Sequence, residues 1–119
     1  MNKPARVILL GDAEIAYKKL NGLVGAQIAE GKENTDESSL LRSINQKVEL
    51  IKQNPFYGNS IKKSQIPTKY NATNLWRVEL SNFWRMLYTI KGDQIEIICF
   101  VLDLINHKFY DRVFGYGKK

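Results

Sequence analysis

The sequence predicts a single α+β domain in which a two-helix hairpin packs on a small antiparallel β-sheet. Two helical patterns fill the first half of the chain, and three strand patterns follow one another closely in the second half. Helices and strands that are segregated in this way are typical of α+β folds. At 119 residues the chain can bury one core but not two, and no repeat or linker divides it, so residues 1–119 are expected to form one domain.

The N-terminal strand leads directly into the first helix. A short strand is predicted from Arg6 to Leu10, and Gly11 ends it. Asp12 is expected to cap the helix, because its carboxylate can accept hydrogen bonds from the exposed amides of a first turn. The helix is predicted from Ala13 to about residue 28. Its apolar residues at helical spacing are Ala16, Leu20, Leu23, Val24 and Ile28.

The second helix has the cleaner apolar pattern. Thr35 or Asp36, at the end of a polar connection, is expected to cap it. Asn54 ends it, because a residue that precedes proline is pushed out of the helical region. A hairpin of two such helices must bury its apolar stripe, and the rest of the chain supplies a sheet for it. That stripe consists of Leu40, Leu41, Ile44, Val48 and Ile51.

Three strands are predicted after a polar loop: Leu75–Leu80, Phe83–Ile90 and Gln94–Leu102. Tight turns at Ser81-Asn82 and at Lys91-Gly92-Asp93 join them. The third strand is apolar on both faces apart from Glu96, which is the pattern of a central strand. The first two strands each have one apolar face that is expected to pack under the helices, and these faces consist of Trp76, Val78, Leu80, Trp84, Met86, Tyr88 and Ile90.

The opposite face of the first two strands carries charged residues. Arg77 and Glu79 alternate with the apolar residues of one strand, and Arg85 belongs to the same class on the next. A short turn joins these strands, so the two arginines are expected to share a face. Guanidinium groups bind phosphate oxygens in a two-pronged geometry, which suits the pair to a phosphodiester.

A second group of chemically active residues lies near the C-terminus. The stretch His107-Lys108-Phe109-Tyr110-Asp111-Arg112 holds an imidazole, a phenol and two cations. Cleavage of RNA without a metal needs a base for the 2′-hydroxyl, cations for the charged phosphorane and an acid for the 5′-oxygen. His107 is a candidate acid or base, and Glu79 is the other candidate base. Tyr110 and Trp76 offer rings for base stacking, although Trp76 belongs to the core face.

The net charge of +6 is unevenly distributed. Residues 60–119 hold ten Lys and Arg against five Asp and Glu. A basic face of this kind attracts polyanions, and it equally suits an acidic partner protein. The cations expected to contact RNA are Lys62, Lys63, Lys69, Lys108 and Arg112.

The apolar segments are short, which bears on the compartment. None approaches the roughly 18 residues that span a bilayer, and the stretch after Arg6 is too short for a signal peptide. We therefore expect a cytoplasmic protein with no membrane partner. The single Cys99 can form no internal disulfide, which fits a reducing compartment. One His and one Cys give no support to a zinc site or a Ser-His-Asp triad, so no metal or cofactor is predicted.

Structural roles for the same residues remain open. Arg77 and Glu79 also fit a solvated strand face with cross-strand pairing. Arg85 also fits a structural ion pair with Glu79 or Glu96. His107, which follows an asparagine, also fits a surface turn.

Three segments taken together resemble the RelE/ParE toxin superfamily. They are the strand Leu75-Trp76-Arg77-Val78-Glu79-Leu80, the strand Trp84-Arg85-Met86-Leu87-Tyr88-Thr89-Ile90, and the ending from His107 to Tyr116. The basic loop 58–70 and the order β-α-α-β-β-β with a short C-terminal segment also match. The resemblance covers essentially the whole chain.

The resemblance implies a toxin of a toxin–antitoxin system that cleaves mRNA in the ribosomal A site, with a cognate antitoxin in a hetero-oligomer. Arg85 matches the family's phosphate-binding arginine, and Arg77 a basic strand position. His107 and Tyr110 match positions for proton transfer and stacking. Glu79 departs from the pattern, since several ribosomal toxins have a basic residue there, although some members use a glutamate. The alternatives are a ParE-like protein that binds DNA gyrase and a degenerate member that only binds antitoxin or RNA.

Overall fold

The computed structural model describes residues 5–93 and 95–115, so the predicted strand start Gln94 and the matched Tyr116 lie outside it. The elements are β1 (Ala5–Leu9), α1 (Gly11–Ala29), α2 (Asp36–Gln53), β2 (Asn59–Ser60), β3 (Trp76–Glu79), β4 (Trp84–Gly92), β5 (Ile97–Asn106) and α3 (His107–Phe114). The predicted α+β class is confirmed. No helix within the described residues is long and apolar enough to cross a bilayer.

The strands form one five-stranded sheet in the order β1-β5-β4-β3-β2. The meander β2 to β5 is antiparallel, whereas β1 lies parallel to β5, with Val7 opposite Cys99. The sheet is therefore mixed rather than wholly antiparallel. Strand β5 is apolar on both faces, which is the pattern of a central strand. It pairs with β4 along one edge and with β1 along the other.

The two long helices begin differently. The expected cap at Asp12 is wrong: Gly11, with a φ of 48°, turns the chain into α1 directly after Leu10, and no side chain caps this end. Asp12 then lies inside the first turn. In α2 the cap at Thr35 is confirmed, because its hydroxyl accepts from the Ser38 amide at 3.0 Å while the Ser38 hydroxyl accepts from the Thr35 amide. The predicted end at Asn54 is also confirmed.

A core lies between the helices and one face of the sheet, as the alternation of β3 and β4 predicts. Met86 and Tyr88 are fully buried there, and Ile44 of α2 packs against them. The stripe predicted on α1 is wrong in part, because Leu23 and Ile28 remain 49% and 54% exposed. That helix buries only one edge, so its remaining apolar side chains face outward.

A second, smaller core lies on the other face of the sheet, which is the face that carries Arg77 and Arg85. It consists of Leu75, Leu87, Ile105 and Tyr110. A register shift in the pairing of β4 with β5 places Asp103 opposite Leu87 and Val101 opposite Tyr88. The extra residue of β5 brings Ile105 to this face, and α3 covers it.

The C-terminal segment differs from the expected turn. β5 runs to Asn106, four residues beyond its predicted end, and His107 begins α3. The Asn106 side chain caps this helix by accepting from the Phe109 amide at 2.8 Å. An asparagine after a strand is equally typical of a turn and of a helix cap, which is why the sequence pattern was ambiguous.

The thiol of Cys99 lies in the centre of the main core. Its side chain is fully buried between β1 and β4, and burial raises its pKa to about 11. We expect no reaction with a disulfide reagent at pH 8 in the folded protein, because the thiolate is both scarce and inaccessible. The same reagent should titrate one thiol after denaturation. Rapid labelling of folded protein would contradict this.

Candidate functional site

Two arginines from neighbouring strands meet on the ring of Tyr110. The Cζ atoms of Arg77 and Arg85 lie 5.8 and 5.5 Å from the ring centroid. Nη1 of Arg77 also donates to the Tyr110 hydroxyl at 3.1 Å. The sheet therefore brings both guanidinium groups to one place, as the strand alternation predicts, and the tyrosine supports them by cation–π contact.

Tyr110 is a buried support. It is 3% exposed, and its ring stacks on Phe114 with 4.3 Å between centroids. Helix α3 supplies both residues, four positions apart on one helical face. The stacking role that the resemblance implied for Tyr110 does not fit this burial, because no open face of the ring remains for a base.

Each of the two guanidinium groups has one donor, its Nε atom, that is buried within the protein. Within the described residues, Nε of Arg77 and Nε of Arg85 are buried and have no hydrogen-bond partner. A buried N–H without an acceptor carries an unrecovered desolvation cost, and native proteins rarely leave one so. Each arginine as a whole is only half-buried, so an anion would meet the exposed part of these side chains and not the buried Nε atoms.

A small pocket of about 180 Å³ adjoins Arg77 and the Tyr110 ring. Its lining is polar or basic apart from one isoleucine and consists of Asn59, Ser60, Ile61, Lys62, Gln65, Arg77 and Tyr110. No carboxylate takes part in this lining. The pocket is thus electropositive, because its two charged lining residues, Lys62 and Arg77, are both cations.

The wall of the pocket depends on Gly58, which precedes β2. A Cβ at this position would lie 2.8 Å from the Arg77 carbonyl oxygen and 3.0 Å from the Tyr88 hydroxyl. That hydroxyl accepts from the Gly58 amide at 3.0 Å and donates to the Pro55 carbonyl at 2.7 Å. Only glycine allows β2 to approach β3 this closely.

We expect Gly58→Ala to destabilise the protein by about 1–3 kcal/mol, because the backbone must move away from Arg77. Urea unfolding measures the change. Gly25→Ala is the matched control: apart from its chain neighbours and the backbone of its own helix, no atom of the described residues lies within 4 Å of the added Cβ, and alanine in a helix should raise stability by roughly 0.5–1 kcal/mol. Equal stability of Gly58→Ala and wild type would refute the close approach.

On the other side, Arg85 connects to His107 through Phe83. Nη1 of Arg85 donates to the Phe83 carbonyl at 2.9 Å, and the Phe83 ring meets the His107 ring edge-on with centroids 5.7 Å apart. His107 is exposed at the start of α3. The imidazole therefore lies at the rim of the site and is open to solvent.

Glu79 stands directly opposite Arg85 in the pairing of β3 with β4 and is exposed. No ion pair joins Glu79 to Arg85 in the part of the chain that the structure describes, and Glu96 instead pairs with Arg6 at 3.4 Å. The structural ion pair considered for Arg85 is therefore not formed. The alternative of a solvated strand face does not hold for Arg77 either, because its side chain is half-buried and donates from Nη1 to the Tyr110 hydroxyl.

The other predicted cations have different surroundings. Lys63 and Lys108 are exposed, and Arg112 lies over the Phe109 ring with its Cζ at 5.4 Å from the centroid. Lys69 is held 3.8 Å from the buried carboxylate of Asp103, which the Tyr70 hydroxyl also reaches at 2.9 Å. Its charge is thus largely compensated within the protein. The sequence pattern did not indicate the contact of Lys69 with Asp103. Asp103 lies on the same face of the sheet as Leu87 only because of the register shift between β4 and β5.

Comparison with solved structures finds a similar fold in a bacterial toxin. A chain described as a YoeB/ParE toxin from Agrobacterium tumefaciens superposes with a TM-score of 0.58 and 15% sequence identity, covering 86% of this chain and 98% of that one. No family model matches the sequence, and no curated protein matches it significantly. At this identity the likeness concerns the fold.

Proposed function

Because this chain has the fold of the RelE/ParE toxin superfamily, we propose that it is the toxin of a toxin–antitoxin module and cleaves mRNA on the ribosome. The observation that carries the proposal is the pair of half-buried arginines held on the Tyr110 ring, one of which lines a basic pocket. Guanidinium groups suit a phosphodiester, which is the group that an RNA-cleaving site must bind.

The proposed reaction is transfer of the RNA phosphate to its own 2′-oxygen. The 2′-oxygen forms a bond to phosphorus, the bond from phosphorus to the 5′-oxygen breaks, and the products carry a 2′,3′-cyclic phosphate and a 5′-hydroxyl. Arg77 and Arg85 bind the non-bridging oxygens and stabilise the extra negative charge of the phosphorane. Tyr110 holds both guanidinium groups in place and does not touch the RNA.

Two exposed groups flank Arg85 and supply the proton transfers. Glu79 is its partner on β3, and His107 follows its β5 neighbour Ile105 by two residues. In the proposed mechanism Glu79 removes the proton of the 2′-hydroxyl and His107 protonates the departing 5′-oxygen. Their positions on opposite sides of the phosphate-binding arginine support this division of roles.

The cations around the site provide affinity without chemistry. Lys62 lines the pocket together with Arg77, and the next residue, Lys63, is exposed. Lys108 and Arg112 are exposed on α3. Lys and Arg that contact RNA phosphates position the strand. Lys69 contributes less because Asp103 compensates it.

The expected antitoxin has a candidate surface on the helical side of the molecule. Ile15, Leu23 and Ile28 of α1 are 65%, 49% and 54% exposed, and a groove of about 460 Å³ opens between α1 and α2. The groove is mainly apolar and extends to Trp84 and Leu104 of the sheet. We propose that an apolar segment of the antitoxin covers it, since the lining is mainly apolar and large apolar side chains beside it are exposed.

The test is induced expression of the wild type and of Arg85→Ala in growing bacteria, with mapping of mRNA 5′ ends and of plasmid supercoiling. Growth arrest with new 5′-hydroxyl ends inside translated messages, both lost in the variant, is the expected result. Arrest with altered supercoiling and no cuts would replace the proposal with gyrase binding. No arrest from folded protein would replace it with a degenerate binder.

A further inference from the structure

The turn between β3 and β4 has an unusual residue at its second central position. The Trp84 amide donates to the Ser81 carbonyl, and the central residues Asn82 and Phe83 have φ values of 58° and 63°. Positive φ at both central residues is the requirement of a type I′ turn, for which Asn-Gly is strongly preferred. This chain has asparagine at the first position and phenylalanine at the position that favours glycine.

Phenylalanine at positive φ is strained, because its Cβ crowds the backbone. Packing does not compensate for this, since Phe83 is 71% exposed. The turn is instead held from α2: the Asn82 side chain donates to the Asp36 carbonyl, and the Ser81 amide donates to the Ser43 hydroxyl, both at 3.1 Å. The strained conformation is thus imposed by contacts of its neighbours, and the exposed ring contributes little to stability.

The position of Phe83 relates it to the arginine pair. Its carbonyl accepts from Arg85 at 2.9 Å, and its ring meets His107 edge-on, with an angle of 67° between the ring planes. The ring therefore projects into solvent between the proposed phosphate-binding and proton-transfer groups. Asn82 and Asn106 beside it are exposed and polar, so the ring does not extend a wider apolar patch.

We propose that Phe83 is a stacking platform for a base of single-stranded RNA next to the cleaved phosphate. Proteins that bind single-stranded nucleic acid combine a cationic groove with exposed aromatic rings on which bases stack. An exposed phenylalanine beside an arginine, an imidazole and polar amides fits that arrangement better than an apolar protein contact. The proposal rests on the proposed RNA cleavage and gives the site a binding group that the sequence pattern assigned to a strand.

The decisive variant is Phe83→Gly, which gives the turn the Asn-Gly pair that a type I′ turn prefers. We expect its Tm to rise by roughly 3–6 °C, because glycine removes the strain. Cleavage of messages in a translating extract should fall about 10–100-fold, with weaker binding of a labelled hexaribonucleotide, because the stacking contact is lost. A merely structural residue would not raise stability and lower activity together. Phe83→Trp should restore cleavage to within about threefold of wild type, since indole also stacks.

Phe56→Ala is the control, because this phenylalanine is also largely exposed, at 60%, and lies against Trp76 away from the arginine pair. Full cleavage by a stabilised Phe83→Gly, while Arg85→Ala is inactive, would overturn the stacking role alone. Lost growth arrest with unchanged hexaribonucleotide affinity would replace it with a protein contact. If Phe83→Gly is less stable than wild type, and Phe83→Asn is too, the strain argument is wrong. A wild type that cuts no RNA would overturn both proposals.

Discussion

Arg85→Ala is expected to lower the rate of RNA cleavage by about 10²–10³-fold, the usual cost of removing one donor to a charged transition state. In the folded protein this guanidinium contacts the Phe83 carbonyl at 2.9 Å and the Trp84 carbonyl at 3.5 Å. Its buried Nε has no partner among the described residues. Removing a donor of that kind costs the fold little, so stability should change by less than about 1 kcal/mol.

Single-turnover cleavage and urea unfolding of the same preparations measure the two effects. Arg85→Lys should fall between alanine and wild type, because lysine keeps the charge but loses the fork geometry. Arg42→Ala is the matched control, since Arg42 is exposed on α2 and its side chain donates a hydrogen bond to the Ser39 hydroxyl, away from the sheet face that carries Arg85. Cleavage by folded Arg85→Ala at the wild-type rate would contradict the proposed role.

Tyr110→Ala is expected to cost about 3–5 kcal/mol of unfolding free energy and to abolish cleavage. The ring is 3% exposed, fills the second core with Leu87, and carries both guanidinium groups. Tyr110→Phe keeps the ring but removes the acceptor of Arg77 Nη1. That variant should lose about 1 kcal/mol and cleave RNA more slowly than wild type with little change in fold.

Circular dichroism during urea unfolding, together with cleavage assays, separates the loss of fold from the loss of arginine position. Tyr17→Phe is the control for removal of a hydroxyl, because Tyr17 donates to Asn45 at 2.7 Å between the two long helices, on the far side of the sheet. It should leave cleavage unchanged. Tyr110→Phe with full activity would show that the ring alone suffices to place Arg77.

The arginine pair was predictable from sequence because strand alternation is local. Arg77 and Arg85 are separated by a short turn, and side chains alternate strictly along each strand, so both had to emerge on one face. The same reasoning identified the core residues Met86 and Tyr88 opposite them. The capping of α2 at Thr35 was equally local, since it involves residues three apart.

The support beneath the arginines was not predictable in the same way. Tyr110 reaches them only because β5 extends to Asn106 and α3 then folds back over the sheet. The irregular pairing near Asp103, which compensates Lys69, depends on the fit of β5 to β4. Contacts between residues distant in the chain are not encoded in any short pattern, so the sequence pattern predicted that Lys69 and Tyr110 contact RNA.

The sequence by itself determined the α+β class, the order of the two long helices and of β1, β3, β4 and β5, and the shared face of Arg77 and Arg85, since all of these follow from hydrophobic periodicity and local turns. Only the tertiary structure decided that Tyr110 is a buried support, that the Nε atoms of Arg77 and Arg85 are buried without a partner among residues 5–93 and 95–115, and that Phe83 is exposed at positive φ. Burial and hydrogen-bond satisfaction are properties of the packed chain, because each depends on which distant segment covers a group.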